Sequence, residues 1–218
     1  MRFKKCHLGR KWEVFMKFVM LFVVIFFTLK VRADFLPSSF SANFTQEYVS
    51  TLKGKVKKGN GTVDYKYPGN IRFETNNPTH VLFVSNGKKN WYYSFPFIEG
   101  EEGELTESSG KDSVGFFTKF FDSLKNGLKS NQIYSVENNK NETSILFKNK
   151  FQKEVGLKTA KLIFLTDKME FNNIERIELE FLDLKKSTMK LSEIKLNPTF
   201  DSEKFNFIPP KNTKLMKR

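Results

Sequence analysis

Val81-Leu82-Phe83-Val84-Ser85-Asn86-Gly87-Lys88-Lys89-Asn90-Trp91-Tyr92-Tyr93-Ser94-Phe95 is the stretch whose reading decides the fold. Two apolar runs flank Asn86-Gly87, a pair that tolerates positive φ and so favours a tight reversal between strands. The segment His80 to Phe97 therefore reads as a β-hairpin. On its returning strand Trp91, Tyr93, Phe95 and Phe97 share one face by the period of two, while Tyr92 and Ser94 take the other.

The same signal repeats outward. Thr62 to Tyr67 places Val63, Tyr65 and Tyr67 on one side, and Ile71 and Phe73 share a face after the turn Pro68-Gly69-Asn70. Strands are predicted at Ser144–Phe147, Leu157–Thr166, Arg176–Leu184 and Met189–Leu196. Ile177-Glu178-Leu179-Glu180-Phe181 alternates apolar with acid, the pattern of a sheet with one wet and one dry face. Strands with turn signals between them predict an antiparallel sheet or barrel. The Glu-, Gly- and Ser-rich stretch from Glu99 to Ser109, with Glu101, Glu102, Glu104 and Glu107, reads as a solvated loop.

One segment departs from period two. Between Ser113 and Ser130, residues Phe117, Phe120, Phe121, Leu124 and Leu128 recur at helical spacing, with Lys119, Asp122 and Lys125 on the other side. This predicts an amphipathic helix with an aromatic stripe. It would cover an open sheet face either as ordinary core or as a lid over an apolar cavity. The 25 Phe, against 2 Trp and 6 Tyr, fit both readings.

The first 33 residues read as a cleaved secretory signal. Lys17 precedes a twelve-residue apolar run from Phe18 to Leu29, shorter than the ~20 a membrane helix needs. Val31-Arg32-Ala33 supplies the cleavage context, so cleavage is expected after Ala33, leaving residues 34–218 as a single domain. Met16-Lys17 also reads as an ordinary start, which would make residues 1–15 an upstream extension. The chain carries a net +13, of which the leader's eight basic residues and one acidic residue account for +7. The remaining +6 is not a nucleic-acid footprint, and the cluster Lys53-Lys55-Lys57-Lys58 reads as a solvated hairpin.

Catalytic material is scarce. The single cysteine, Cys6, lies in the leader, so neither a disulfide framework nor a cysteine metal site is expected. His80 stands without an evident partner base, no G-x-S-x-G elbow occurs, and Gly59-Asn60-Gly61 reads as a turn. No enzyme activity, metal or cofactor is expected.

Several stretches in order resemble the periplasmic outer-membrane lipoprotein carrier (LolA) family. Phe40-Ser41-Ala42-Asn43-Phe44-Thr45-Gln46 resembles its early F-x-A-x-F-x-Q strand, and Tyr67-Pro68-Gly69-Asn70-Ile71-Arg72-Phe73-Glu74 its R-P-x-x-F-R segment. Val84 to Tyr93 is similar to its V-S-D-G-K-x-x-W-x-Y hairpin, and Asn197 to Pro210 to its closing N-x-x-F-x-F-x-x-P pattern. The resemblance implies an incomplete, unclosed antiparallel β-barrel, mainly β with a few helices, and an α-helical lid over a hydrophobic cavity. It implies a monomeric periplasmic chaperone for acylated lipoproteins. Its implied partners are an inner-membrane ATP-driven lipoprotein release complex and an outer-membrane acceptor lipoprotein.

The helix and this implication meet in an expected lipid-binding set. From the sheet come Phe73, Phe83, Trp91, Tyr93, Phe95, Phe164, Ile177, Leu179 and Phe181; from the helix, Phe116, Phe117, Phe120, Phe121 and Leu124. The family usually has Arg before the Pro that is Pro68 here, and that Arg latches the lid. Tyr67 stands in its place, so Tyr67 and Arg72 are the expected latch. The alternatives are an envelope-stress sensor or adaptor of the same fold that binds a protein partner, and a carrier of another lipid.

Overall fold

The structure, a computed structural model, describes residues 34–49, 56–110 and 115–216. The expected leader and the first residues of the expected helix lie outside the described residues. Twelve strands form one sheet in the order β12-β6-β5-β4-β3-β2-β1-β11-β10-β9-β8-β7. They are β1 (Ser39–Val49), β2 (Val56–Lys66), β3 (Asn70–Asn77), β4 (Val81–Asn86), β5 (Lys89–Ser94), β6 (Gly103–Ser109), β7 (Tyr134–Asn139), β8 (Glu142–Phe147), β9 (Leu157–Phe164), β10 (Ile174–Phe181), β11 (Lys186–Leu196) and β12 (Thr213–Leu215). Neighbours are antiparallel except β12, which runs parallel to β6. Pairing of β1 with β11, Phe44 opposite Leu191, joins the two halves of the chain at the centre of the sheet.

The local chemistry explains the hairpins. The Asn86 side chain accepts from the backbone N–H groups of Lys88 (3.0 Å) and Lys89 (2.9 Å), and Gly87 takes φ +78° to close the turn. On β2, Gly61 lets Phe44 lie across the strand, since a Cβ there would come within 2.9 Å of the Phe44 ring and 1.8 Å of the Glu74 carbonyl.

Two helices accompany the sheet, α1 (Phe116–Ser123) and α2 (Asn149–Val155). Among the described residues no helix is long and apolar enough to cross a membrane. Helix α1 continues for one 3-10 turn, Leu124–Asn126, and stops where Gly127 adopts φ +74°. It is thus shorter than the periodicity to Ser130 predicts, because a left-handed glycine interrupts the helix before Leu128.

Ring contacts of α1 show how the sheet is shaped. Phe117 stacks on Phe73 of β3 (4.6 Å), and Phe120 meets Phe147 of β8 (6.4 Å). Those strands are six positions apart, about 29 Å in a flat sheet at ~4.8 Å per strand. The helix is only about 12 Å long. The sheet therefore wraps around α1 as a half-barrel, with no hydrogen bonds between β12 and β7 to close it.

Each face of the sheet has its own core. The concave face, around α1, buries Phe40, Phe44, Val63, Tyr65, Ile71, Phe73, Ile177, Leu179 and Met189 together with Phe120, Phe121 and Leu124. On the convex face, Leu82, Val84, Trp91, Tyr93 and Leu105 form a second cluster against Phe95 and Phe207. Here the structure corrects the reading of 99–109 as a loop: Gly103–Ser109 is strand β6. Leu105 is buried in the convex cluster, and the Glu107 carboxylate accepts from the Trp91 indole Nε1–H at 3.0 Å. Five acids between 99 and 109 hid a strand whose single large apolar side chain supplies its burial. Strand β7 and helix α2 were likewise not predicted.

Candidate functional site

At the N-terminal end of α1 the described residues leave part of the concave face unfilled. A cavity of about 560 Å³ lies between Phe116 and Phe117 of the helix and the inward side chains of four strands. Strand β1 contributes Gln46 and Tyr48, β3 Phe73 and Thr75, β4 Val81 and Phe83, and β5 Tyr92 and Ser94. Gly59, Pro78 and Thr79 complete the rim. Among the described residues no charged side chain lines it, and those present suit an apolar ligand with hydroxyls and an amide at its border.

The helix enters this space through Gly115. A Cβ at that position would stand 2.6 Å from Phe83 Cζ, so glycine lets the backbone lie directly on the Phe83 ring. From there an aromatic series runs inward. Phe116 and Phe117 have ring centroids 4.0 Å apart, Phe117 stacks on Phe73 at 4.6 Å, and Phe73 on Phe44 at 4.4 Å. Phe116 also meets Phe181 edge-on at 5.2 Å. Offset and edge contacts of this kind contribute about 0.5–1.5 kcal/mol each beyond area burial.

The expected residues therefore separate into three groups. Phe73, Phe83, Phe116 and Phe117 line the cavity. Phe120, Phe121, Leu124, Phe164, Ile177, Leu179 and Phe181 belong to the same concave cluster but lie beyond the cavity lining, most of them fully buried. Trp91, Tyr93 and Phe95 are on the convex side, a correction to the expected cavity face of β5. Cross-strand partners share a face, and Phe83 stands opposite Tyr92, not Trp91. Tyr92 and Ser94 thus replace Trp91 and Tyr93 in the cavity wall. Alternation separates two faces of a strand but does not say which is inside. Partial burial raises the Tyr92 phenol above its ordinary pKa, so it stays neutral.

The helix is fastened at its far end. The Asp122 carboxylate accepts from the Tyr65 hydroxyl at 2.5 Å and from the Gly69 backbone N–H at 3.1 Å. Burial, and then the adjacent Asp122 charge, push the Tyr65 phenol well above its ordinary range, keeping its proton in place as donor. Tyr134 donates to the Gly127 carbonyl at 2.6 Å, and Lys125 pairs with Asp34. Lys119 reaches Glu154 of α2 at 3.1 Å.

The expected latch pair sits elsewhere. Arg72 projects from the strand face opposite Phe73, where it pairs with Glu74 at 3.4 Å, and makes no bond to α1. Tyr67 is partly exposed, and its ring faces Lys125 Nζ at 5.5 Å, a cation–π contact at the foot of the helix. Sequence reasoning placed Asp122 on the polar side of the helix and overlooked its role. The available signal was that it is the only acid in α1, next to Phe121. One residue works against the closed helix: Thr118 is fully buried, and its hydroxyl has no hydrogen-bond partner among the described residues.

His80 stacks on Phe95 at 3.5 Å and bonds Glu74 at 2.9 Å. Among the described residues no group of three His, Cys, Asp or Glu is placed to hold a metal ion.

Comparison with known proteins adds sequence evidence. The profile of the outer membrane lipoprotein carrier protein LolA matches residues 37–208. The outer-membrane lipoprotein carrier protein of Legionella pneumophila is 25% identical over 180 residues, covering 82% of this chain and 83% of the relative. That of Pectobacterium atrosepticum is 28% identical over 178 residues, 82% and 81% of the two chains. Among solved structures, a LolA superfamily protein from Nitrosomonas europaea aligns with a TM-score of 0.45 at 14% identity, over 80% of this chain and 94% of its own.

Proposed function

The chain belongs to the LolA family of outer-membrane lipoprotein carrier proteins, and from that membership we propose that it shelters the acyl chains of lipoproteins in the cavity under α1. The observation that carries the reading is the Phe-walled cavity between α1 and β1–β5, with no charged side chain among its described lining residues.

The energetics require such a shelter. Acyl burial contributes ~0.8 kcal/mol per CH₂, so a chain of about 15 costs roughly 12 kcal/mol to expose to water. If a methylene fills the same space as a water molecule, ~30 Å³, that chain needs roughly 450 Å³. The cavity of about 560 Å³ accommodates one such chain. A second displaces Phe116 and Phe117 from their own contacts, so lid and cargo compete for one surface. Cargo affinity is then reduced by the work of moving the helix, which makes release achievable.

In this reading the carrier works in the periplasm after removal of residues 1–33. It takes cargo from an inner-membrane ATP-driven release complex and passes it to an outer-membrane acceptor. Phe73, Phe83, Phe116 and Phe117 contact acyl chain first; Phe120, Phe121, Leu124 and Phe181 do so only when the helix moves. Asp122 with Tyr65 holds the helix. No catalytic step is assigned.

The test is mass spectrometry of the protein purified from the periplasm of its own host without detergent. An acylated lipoprotein bound one-to-one, and lost in Phe117→Ser, is the expected result. A different bound lipid would change the cargo, and protein recovered empty with a protein partner would replace the carrier reading by that of an adaptor.

A further inference from the structure

Cross-strand pairing sorts the cavity wall into rows. Phe73, Phe83 and Tyr92 stand opposite one another on β3, β4 and β5 and form an inner row. Two residues along each strand, Thr75, Val81 and Ser94 form the next. Side chains two apart share a face, so both rows look into the cavity, about 7 Å from each other. Further out on β1 stands Gln46, whose amide N–H donates to the buried Ser187 hydroxyl at 2.7 Å. Along the strands the wall therefore changes from aromatic rings to hydroxyls and an amide.

The inner row is the part that the helix covers. Phe117 stacks on Phe73 at 4.6 Å, and Gly115 lies against the Phe83 ring. Hydrocarbon is best placed there. The other end of an acyl chain is by definition a carbonyl, in an ester or an amide. Thr75 and Ser94 are partly buried, and among the described residues neither hydroxyl has a hydrogen-bond partner. Such a hydroxyl costs free energy in an apolar wall, and a ligand carbonyl removes that cost, because the hydroxyl donates and the carbonyl accepts. The two residues flank Val81 on strands that are not neighbours, so each can bond a different carbonyl.

We propose that Thr75 and Ser94 are specificity-determining residues that recognise the carbonyl by which a chain is attached, so that the cavity selects ester- and amide-linked acyl chains over alkyl chains of equal length. The inference rests on the cavity reading above and names the linkage that the cavity takes. Hydrocarbon burial does not distinguish linkages, since the same methylenes are covered in both cases. Discrimination falls to the hydroxyl row. A fully buried site built to hydrogen-bond a group rejects the analogue lacking it very strongly. Here the row is only partly buried and water competes, so the expected preference is about tenfold.

The test is calorimetric titration of the exported, cargo-free protein with monomeric 1-myristoylglycerol, an ester, and with 1-O-tetradecylglycerol, an ether of the same chain length. The ester is expected to bind about tenfold more tightly. Thr75→Val with Ser94→Ala is expected to bring the two affinities within about twofold by weakening the ester alone, whereas Thr75→Ser keeps the preference. Unchanged ether affinity in the double variant also reports that it is folded. Equal affinities in the wild type, or a preference that survives the double substitution, overturn the proposal and leave the cavity reading intact. Binding of neither lipid, or binding of both undiminished by Phe117→Ser, overturns the cavity reading and this inference with it.

Discussion

The two faces of this sheet bury aromatic side chains under covers of different kinds. On the convex face the chain's own C-terminal segment closes the site. Phe207 sits 5.2 Å from the Tyr93 ring, and β12 then adds itself beside β6. On the concave face the cover is a short helix, hydrogen-bonded to the sheet at its far end, with a cavity at the near end. Both faces are aromatic. What differs is the cover, a strand-forming segment on one side and on the other a helix with a cavity at one end.

The largest expected effect tests the shared core. Phe121→Ala is expected to destabilise the fold by about 3–5 kcal/mol, since Phe121 is fully buried between Phe40 (5.0 Å) and Tyr65 (5.5 Å). Urea denaturation measures this, and a loss below ~1 kcal/mol would mean that the helix is not core at that point.

A paired substitution then sets one face against the other. Tyr93→Ala is expected to cost roughly 3 kcal/mol of stability while leaving lipid bound per folded molecule unchanged. Phe117→Ala, half-buried beside the cavity, is expected to cost about 1–2 kcal/mol and to remove most lipid loading. If both reduce loading equally, the distinction between the faces does not hold.

Smaller effects concern the fastening. Tyr65→Phe leaves Asp122 with the Gly69 N–H alone and is expected to cost about 1–2 kcal/mol, read as faster hydrogen exchange confined to α1. Thr118→Val removes the unpartnered hydroxyl at nearly constant shape. It is expected to stabilise the closed helix by ~1 kcal/mol and to slow lipid uptake. Destabilisation by Thr118→Val would show that the hydroxyl has a partner after all.

Much of this architecture is legible in residue order because it is local. The turn at Asn86-Gly87 and the alternation along Ile177–Phe181 each rest on neighbours a few positions apart, and the structure contains both. The Phe stripe of α1 was legible in the same way, though its end was not, because Gly127 acts through a single dihedral angle. Strand β6 escaped notice because pairing with β5 and burial of Leu105 organise a segment whose composition suggests solvent. The hydrogen bond that ties α1 to the sheet joins Tyr65 and Asp122, residues 57 positions apart that no spacing rule connects.

By itself the sequence determined that this chain makes strands, where several of them turn, and that one amphipathic helix interrupts them. Those outcomes follow from backbone sterics and side-chain periodicity, which act over a few residues. Only the tertiary structure decided which face of β5 is inside, what fastens α1, and where space remains for a ligand. Burial belongs to a residue together with whatever covers it. The covers here come from Phe207, more than a hundred positions from Tyr93, and from a helix that the sheet must wrap around to reach.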